Sequence, residues 1–108
     1  MENVSFEDFQ KLELKIGRVE AAEPVLGADK LLKLTVDIGG EKRTLVAGVA
    51  EFYTVDEIIG KNIVVLVNLE PKTIRGITSQ GMLLAADEEG KISLLTPDRE
   101  VSSGTKVS

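Results

Sequence analysis

The side chains of this sequence that are able to do chemistry are its amines, guanidiniums and carboxylates, because two more reactive types are missing. There is no cysteine and no histidine among the 108 residues. Disulfides, thiolate metal sites, thiol nucleophiles and imidazole bases are therefore excluded. Carboxylates are abundant, yet Glu88 and Glu89 fall in a turn and none stands beside an evident base or nucleophile. Ser79 and Ser93 have no imidazole to activate them, and Asp87-Glu88-Glu89 lacks the spacing of a calcium loop. The sequence predicts no enzyme chemistry, no metal and no other cofactor. Binding is the function to look for.

For binding a polyanion the informative groups are cations with polar neighbours on exposed strands and loops. Lys33, Lys42 and Arg43 lie along one apparent hairpin. Lys72 and Arg75 follow Pro71 in a stretch that also carries Thr78, Ser79, Gln80 and Met82. The five cations are the expected phosphate contacts. Ser79, Gln80 and Met82 are expected nearest the bases or sugars. The net charge of −5 runs against a nucleic-acid partner. Acidic blocks at 1–10 and 20–29 alternate with basic ones at 11–18 and 30–43, so the assignment requires the cations to gather on one face, with the acidic groups on the opposite one. The alternative is an ordinary mixed surface. The four aromatics, Phe6, Phe9, Phe52 and Tyr53, lie in or near helical segments, so stacking of bases on strand aromatics is not expected.

These groups must be positioned by one domain, since 108 residues with 43% apolar and 29% charged content read as a single globular unit spanning 1–108. No apolar run reaches the ~20 residues of a membrane span. Glu2, Glu7 and Asp8 replace the pattern of a signal peptide, which predicts a cytoplasmic protein. Ser5 followed by Phe6-Glu7-Asp8 predicts a short capped helical turn to Gln10. Leu12, Leu14 and Ile16 alternate as a strand, with a bulge at Gly17-Arg18-Val19 and a loop from Pro24 to Gly27. Leu32, Leu34, Val36 and Ile38 alternate with polar residues, Gly39-Gly40 reverses the chain, and 42–48 run back. Thr54 and Glu57 fit a capping box, and Gly60 closes that helix. A buried strand spans 61–69, a long loop 70–80, another strand Gly81 to Ala86, and a last hairpin strand Lys91 to Leu95. The expectation is an all-β fold with a short helix, specifically an OB-fold. That is a five-stranded Greek-key barrel with one helix between strands 3 and 4. An SH3-like barrel competes but places its helix less well.

Five segments then give a resemblance. They are Ser5-Phe6-Glu7-Asp8-Phe9, Ala28 to Leu34 (ADKLLKL), Val46-Ala47-Gly48, Asn68-Leu69-Glu70-Pro71 and Arg75 to Met82 (RGITSQGM), in that order. Together they resemble the tRNA-binding domain found at the C-terminus of many methionyl-tRNA synthetases. Related domains are the free-standing structure-specific tRNA-binding proteins and the endothelial monocyte-activating polypeptide II group. The tail from Leu94 to Asp98, with Gly104 and Val107, resembles the version in bacterial and archaeal synthetases and free-standing dimers. The resemblance covers nearly the whole chain. It implies a homodimeric, non-catalytic OB fold that binds tRNA without anticodon specificity and raises a synthetase's hold on it, as an appended domain or a free-standing equivalent. A chaperone-like family and the β-subunit of phenylalanyl-tRNA synthetase use the same barrel, so a chaperone-like or protein-interaction module is the alternative.

The chain ends also point to a dimer. Phe6 and Phe9 lie three apart on one helical turn and share a face. Leu94, Leu95, Val101 and Val107 of a second copy are the expected partners of that face in a two-fold interface.

Overall fold

The period-2 alternation read from the sequence becomes an antiparallel sheet in the computed structural model, which describes residues 1–108. The helix α1 (Phe6–Gln10) opens the chain, with the Ser5 hydroxyl accepting the Asp8 N–H at 3.1 Å. Strands β1 (Leu14–Val25), β2 (Ala28–Asp37) and β3 (Lys42–Ala47) form a meander. The helix α2 (Val55–Ile58) precedes β4 (Asn62–Leu66), which returns antiparallel to β1. Next come the hairpin of β5 (Lys72–Ile74) and β6 (Ile77–Ser79), then β7 (Met82–Leu83). A second hairpin pairs β8 (Ala85–Glu88) with β9 (Lys91–Leu94), and β10 (Lys106–Val107) ends the chain. The main sheet runs β3-β2-β1-β4-β7, with β10 also on β1. This mostly-β layout, with a helix between the third and fourth strands, agrees with the expected OB arrangement.

The core lies on one side of this sheet. Leu34, Val36, Leu45, Ile58, Ile63, Val65 and Val19 are fully buried. Lys33, Thr35 and Asp37 alternate with the inward residues of β2, as a half-buried strand requires. Thr54 and Glu57 form the expected capping box, which delivers Ile58 to the core. Gly17 faces inward where no side chain fits: a Cβ there would stand 2.5 Å from Val36 Cγ1. The expected bulge is displaced from Gly17-Arg18-Val19 to between Val19 and Ala21. No loop opens at Pro24. β1 continues through it to Val25, and Pro24 pairs with Leu32 in a stretch where β1 has β2 on one side only. The missing N–H of proline costs nothing on such an open edge.

Three further expectations change. The stretch 70–80 is not a loop but a hairpin, in register Lys72↔Ser79, Thr73↔Thr78 and Ile74↔Ile77. The strand expected from Gly81 to Ala86 is two pieces, β7 on β4 and β8 on β9. Leu94, expected at a dimer interface, belongs to the protein's own core and is only 8% exposed. Its N–H donates to the Tyr53 hydroxyl at 3.1 Å, so the ring that holds it is structural too.

A second apolar surface lies on the opposite side of the sheet. Val107, Leu14, Leu66 and Met82 are in register across β10, β1, β4 and β7. Residues opposite one another in a ladder share a face, and Leu66 is outside the core cluster. Phe6, Phe9 and Leu12 extend this row, and with Val107 they line a cleft of about 370 Å³. Asn68 fixes the N-terminal segment here: its Oδ1 accepts the Glu13 N–H at 2.9 Å and its Nδ2 donates to the Lys11 carbonyl at 2.6 Å.

Candidate nucleic-acid interface

The β5–β6 hairpin presents two exposed cations. Its two-residue turn is Arg75-Gly76, with φ of +53° and +79°, the left-handed pair that closes a tight hairpin. Gly adopts that conformation freely, whereas Arg75 does so at a cost. The turn thus holds an exposed guanidinium at the hairpin tip, where Asn or Gly suits the backbone better. Lys72 stands exposed on the same hairpin. None of the ion pairs in the molecule involves either residue.

Lys33 and Lys42 project outward from β2 and β3, as expected, but into acidic company. Lys33 pairs with Glu23 at 3.4 Å and Lys42 with Glu20 at 3.1 Å, both carboxylates coming from β1. The acidic block at 20–29 therefore lies directly across the ladder from the basic one at 30–43. Segregation of the cations onto one face, with acids opposite, is not what the fold produces. The surface of β1–β3 is mixed, and exposed pairs of this kind are weak enough to exchange for a competing anion.

Arg43 departs furthest from expectation. It follows Lys42 on a strand, and consecutive strand residues face opposite ways. Its Nε donates to Glu41 at 2.6 Å, and its Nη1 to the carbonyls of Val67 and Gln80. Rather than reaching out as a phosphate contact, its guanidinium ties β3 to the end of β4 and to the hairpin.

Ser79 and Gln80 do related work. β3 has no strand partner on its second edge. The Ser79 hydroxyl accepts the Val46 N–H at 3.0 Å and donates to the Gly81 carbonyl at 3.1 Å. Gln80 accepts the Thr44 N–H through Oε1 at 3.0 Å, and its own N–H donates to the Thr44 carbonyl at 2.8 Å. These bonds occupy an edge otherwise left unsatisfied. Ser79 is 6% exposed, which removes its hydroxyl from contact with a base. Met82 lies in register with Leu66 in the outer apolar row, not beside the cations.

Sequence reasoning did not single out the cleft between these elements. Glu41, Lys42, Arg43, Val67, Leu69, Pro71 and Gln80 enclose about 460 Å³ at the root of the hairpin. The available signal was the segment Asn68-Leu69-Glu70-Pro71, whose half-exposed Leu69 has no place in the core. What this region can do chemically is bind an anion or a polar, flat ligand. It brings the exposed cations of the hairpin next to a polar cleft.

Known proteins match nearly the whole length of this chain. The family model described as "Putative tRNA binding domain" matches residues 14–106. The methionine–tRNA ligase of Archaeoglobus fulgidus is 54% identical over 106 residues, covering 98% of this chain and 16% of that protein. That of Pyrococcus furiosus is 50% identical over 107 residues, covering 99% and 15%. The chain thus spans about one sixth of the length of the curated relatives it matches. Among solved structures, the MetRS related protein of Pyrococcus horikoshii superposes with a TM-score of 0.94 at 41% identity, over the full length of both chains. The chaperone CsaA of Bacillus anthracis str. Ames superposes at 0.90 and 34% identity, covering 99% of this chain and all of that one.

Proposed function

The chain belongs to the tRNA-binding domain family, and from that membership we propose that it is a non-catalytic module that binds tRNA by shape and phosphate charge without reading its anticodon. The observation that carries this reading is the β5–β6 hairpin, which holds Arg75 at its tip and Lys72 at its root, both exposed and without carboxylate partners. Lys33 and Lys42 add phosphate contacts once RNA displaces Glu23 and Glu20. Arg43, Ser79 and Gln80 hold the hairpin against β3.

The module acts in the cytoplasm, where it raises the tRNA affinity of the catalytic part of a methionyl-tRNA synthetase or serves as a free-standing equivalent. The identities to methionine–tRNA ligases support that partner. No helix of the chain is long and apolar enough to cross a membrane. It works as a homodimer, joined through the outer apolar row with Phe6, Phe9, Leu95, Val101 and Val107, which doubles the cationic surface offered to one tRNA.

The test is an electrophoretic shift with unfractionated tRNA and with a single-stranded RNA of equal length, each at two salt concentrations. The tRNA should bind more tightly, with an affinity that falls steeply as salt rises. Equal binding of the two RNAs, or none, overturns the proposal and leaves the chaperone-like module as the reading to pursue.

A further inference from the structure

The cleft at the hairpin root is more than a gap between cations. Arg43 is anchored there by Glu41 and by the carbonyls of Val67 and Gln80, so its guanidinium is fixed before any ligand arrives. Only 26% of its side chain is exposed, and it lines the cleft. Leu69 and Pro71 supply apolar surface beside it, with Leu69 44% exposed and without a cover, while Val67 turns its side chain into the core and gives the cleft its carbonyl. The Gln80 amide lines the same space, and its Oε1 is already committed to the Thr44 N–H. That fixes the amide orientation and leaves its NH2 as a donor. Lys42 also lines the cleft; its ammonium lies on the outer face of β3, where it pairs only with Glu20, an exposed pair that a phosphate at the cleft mouth can displace.

A held guanidinium plane, an apolar wall, an oriented amide donor and a neighbouring ammonium match the parts of one nucleotide. They are a face to stack on, a surface to bury an aromatic ring, a partner for a base edge and a cation for its phosphate. A simple phosphate site needs only the last of these. A base inside a duplex cannot enter a concave site of this kind, whereas an unpaired one splays out readily. We propose that this cleft is a subsite for one unpaired nucleotide of the bound RNA, with Arg43 and Leu69 against the base, Gln80 at its edge and Lys42 at its phosphate. The proposal rests on the tRNA-binding reading and deepens it. It assigns Arg43 a stacking role in place of the phosphate contact expected from its charge.

Leu69→Asn tests it, because this half-exposed residue carries no charge and makes no core contact. The variant and the unmutated protein are compared on tRNA and on a blunt, fully paired RNA duplex with as many phosphates. The variant should lose roughly tenfold in tRNA affinity, the order of one base contact, with an unchanged salt slope and unchanged duplex binding. An equal loss on both RNAs, or no loss on tRNA, overturns the subsite while leaving tRNA binding intact. A second measurement does not depend on tRNA at all. Adenosine 5′-monophosphate at millimolar concentration should shift the methyl resonances of Leu69, and equimolar inorganic phosphate should not. Equal shifts from both, or none from the nucleotide, reject the subsite. Failure of the unmutated protein to bind tRNA rejects the wider reading instead.

Discussion

Gly39 and Gly104 meet backbone to backbone. A Cβ on Gly39 would lie 3.0 Å from the Cα of Gly104, and one on Gly104 would lie 2.9 Å from the Cα of Gly39. The contact seats the polar tail on the β2–β3 turn, where the Gly104 N–H donates to the Ile16 carbonyl at 2.7 Å and Thr105 accepts the Ile16 N–H at 2.8 Å. Those bonds lead β10 onto β1. A tail with so few apolar anchors holds its place through close backbone approach.

Gly104→Ala should therefore destabilise the fold by about 1–3 kcal/mol, since it adds a steric clash to a positive φ of +89°. Gly40→Ala is the control: φ is +93° there, but nothing stands within 4 Å. Urea unfolding of the two variants separates crowding from backbone conformation. Equal losses would show that the Gly39–Gly104 contact contributes nothing of its own.

Arg75 offers a way to part function from folding. Asn accepts the left-handed turn more readily than Arg does. Arg75→Asn should keep or raise the melting temperature while weakening every tRNA by a similar factor. The log–log salt dependence should flatten by roughly one unit, the share of a single phosphate contact. A discriminating effect on one tRNA identity would contradict a shape-reading surface.

The β1–β2 ladder places Glu23 against Lys33, and Glu20 of β1 reaches Lys42 of β3 across the intervening β2. Glu20→Gln with Glu23→Gln frees both ammonium groups and removes two negative charges from the approach of RNA. Binding at low salt should tighten by roughly two- to fivefold, in line with the modest worth of exposed pairs. The gain should fade toward 1 M salt, where the Debye length is about 3 Å. Unchanged affinity in filter binding at low salt would place the RNA path away from β2 and β3.

These particulars mark where the sequence was legible. The caps at Ser5 and Thr54, the Gly39-Gly40 reversal and the inward row of β2 are local patterns, and each forms as its residues dictate. The opposed directions of Lys42 and Arg43 were also readable, because a strand turns successive side chains to opposite faces. That rule lets only one of the two reach outward to a phosphate, and in the fold it is Lys42. The β5–β6 hairpin was harder to see, since three residues a side give too little alternation to stand out from a loop. Leu94 and Leu95 look alike in sequence, and only the Tyr53 hydroxyl and the core beneath decide that the first is buried. Hydrogen bonds spanning more than thirty residues, such as Ser79 to Val46, leave no local trace.

The capping box gives a pH signature. The Thr54 N–H donates to Glu57 Oε1 at 3.0 Å, and the backbone and hydroxyl of Thr54 hold the Glu57 carboxyl below its ordinary range. A depressed folded pKa contributes stability that is complete above the unfolded value and disappears as the pH falls through the lower, folded value. Thr54→Ala removes the hydroxyl from the box, so Glu57 should titrate closer to its ordinary value in a carboxyl NMR titration. The same variant should lose more stability at neutral pH than in strong acid. A Glu57 titration that does not move would show that the hydroxyl leaves the carboxylate unaffected.

The outer apolar row makes the strongest demand on a second copy. Phe6 is 71% exposed and stacked on Phe9 with ring centroids 6.4 Å apart, while Leu12 and Leu95 are 47% and 42% exposed. Phe6, Phe9 and Leu12 adjoin the Val107–Leu14–Leu66–Met82 row on the side of the sheet opposite the core. Apolar groups so concentrated on a small domain are costly to leave in water. A two-fold axis through this side would bury each copy's Phe6 and Phe9 against the other's row. Phe6→Glu with Phe9→Glu should yield a folded monomer, because neither ring belongs to the core cluster. Its tRNA affinity should fall by at least tenfold as the second site is lost, while the thermal midpoint stays that of a folded domain. Sedimentation equilibrium at tens of micromolar decides the matter: a monomeric unmutated protein contradicts the dimer, and a dimeric double variant moves the interface away from α1.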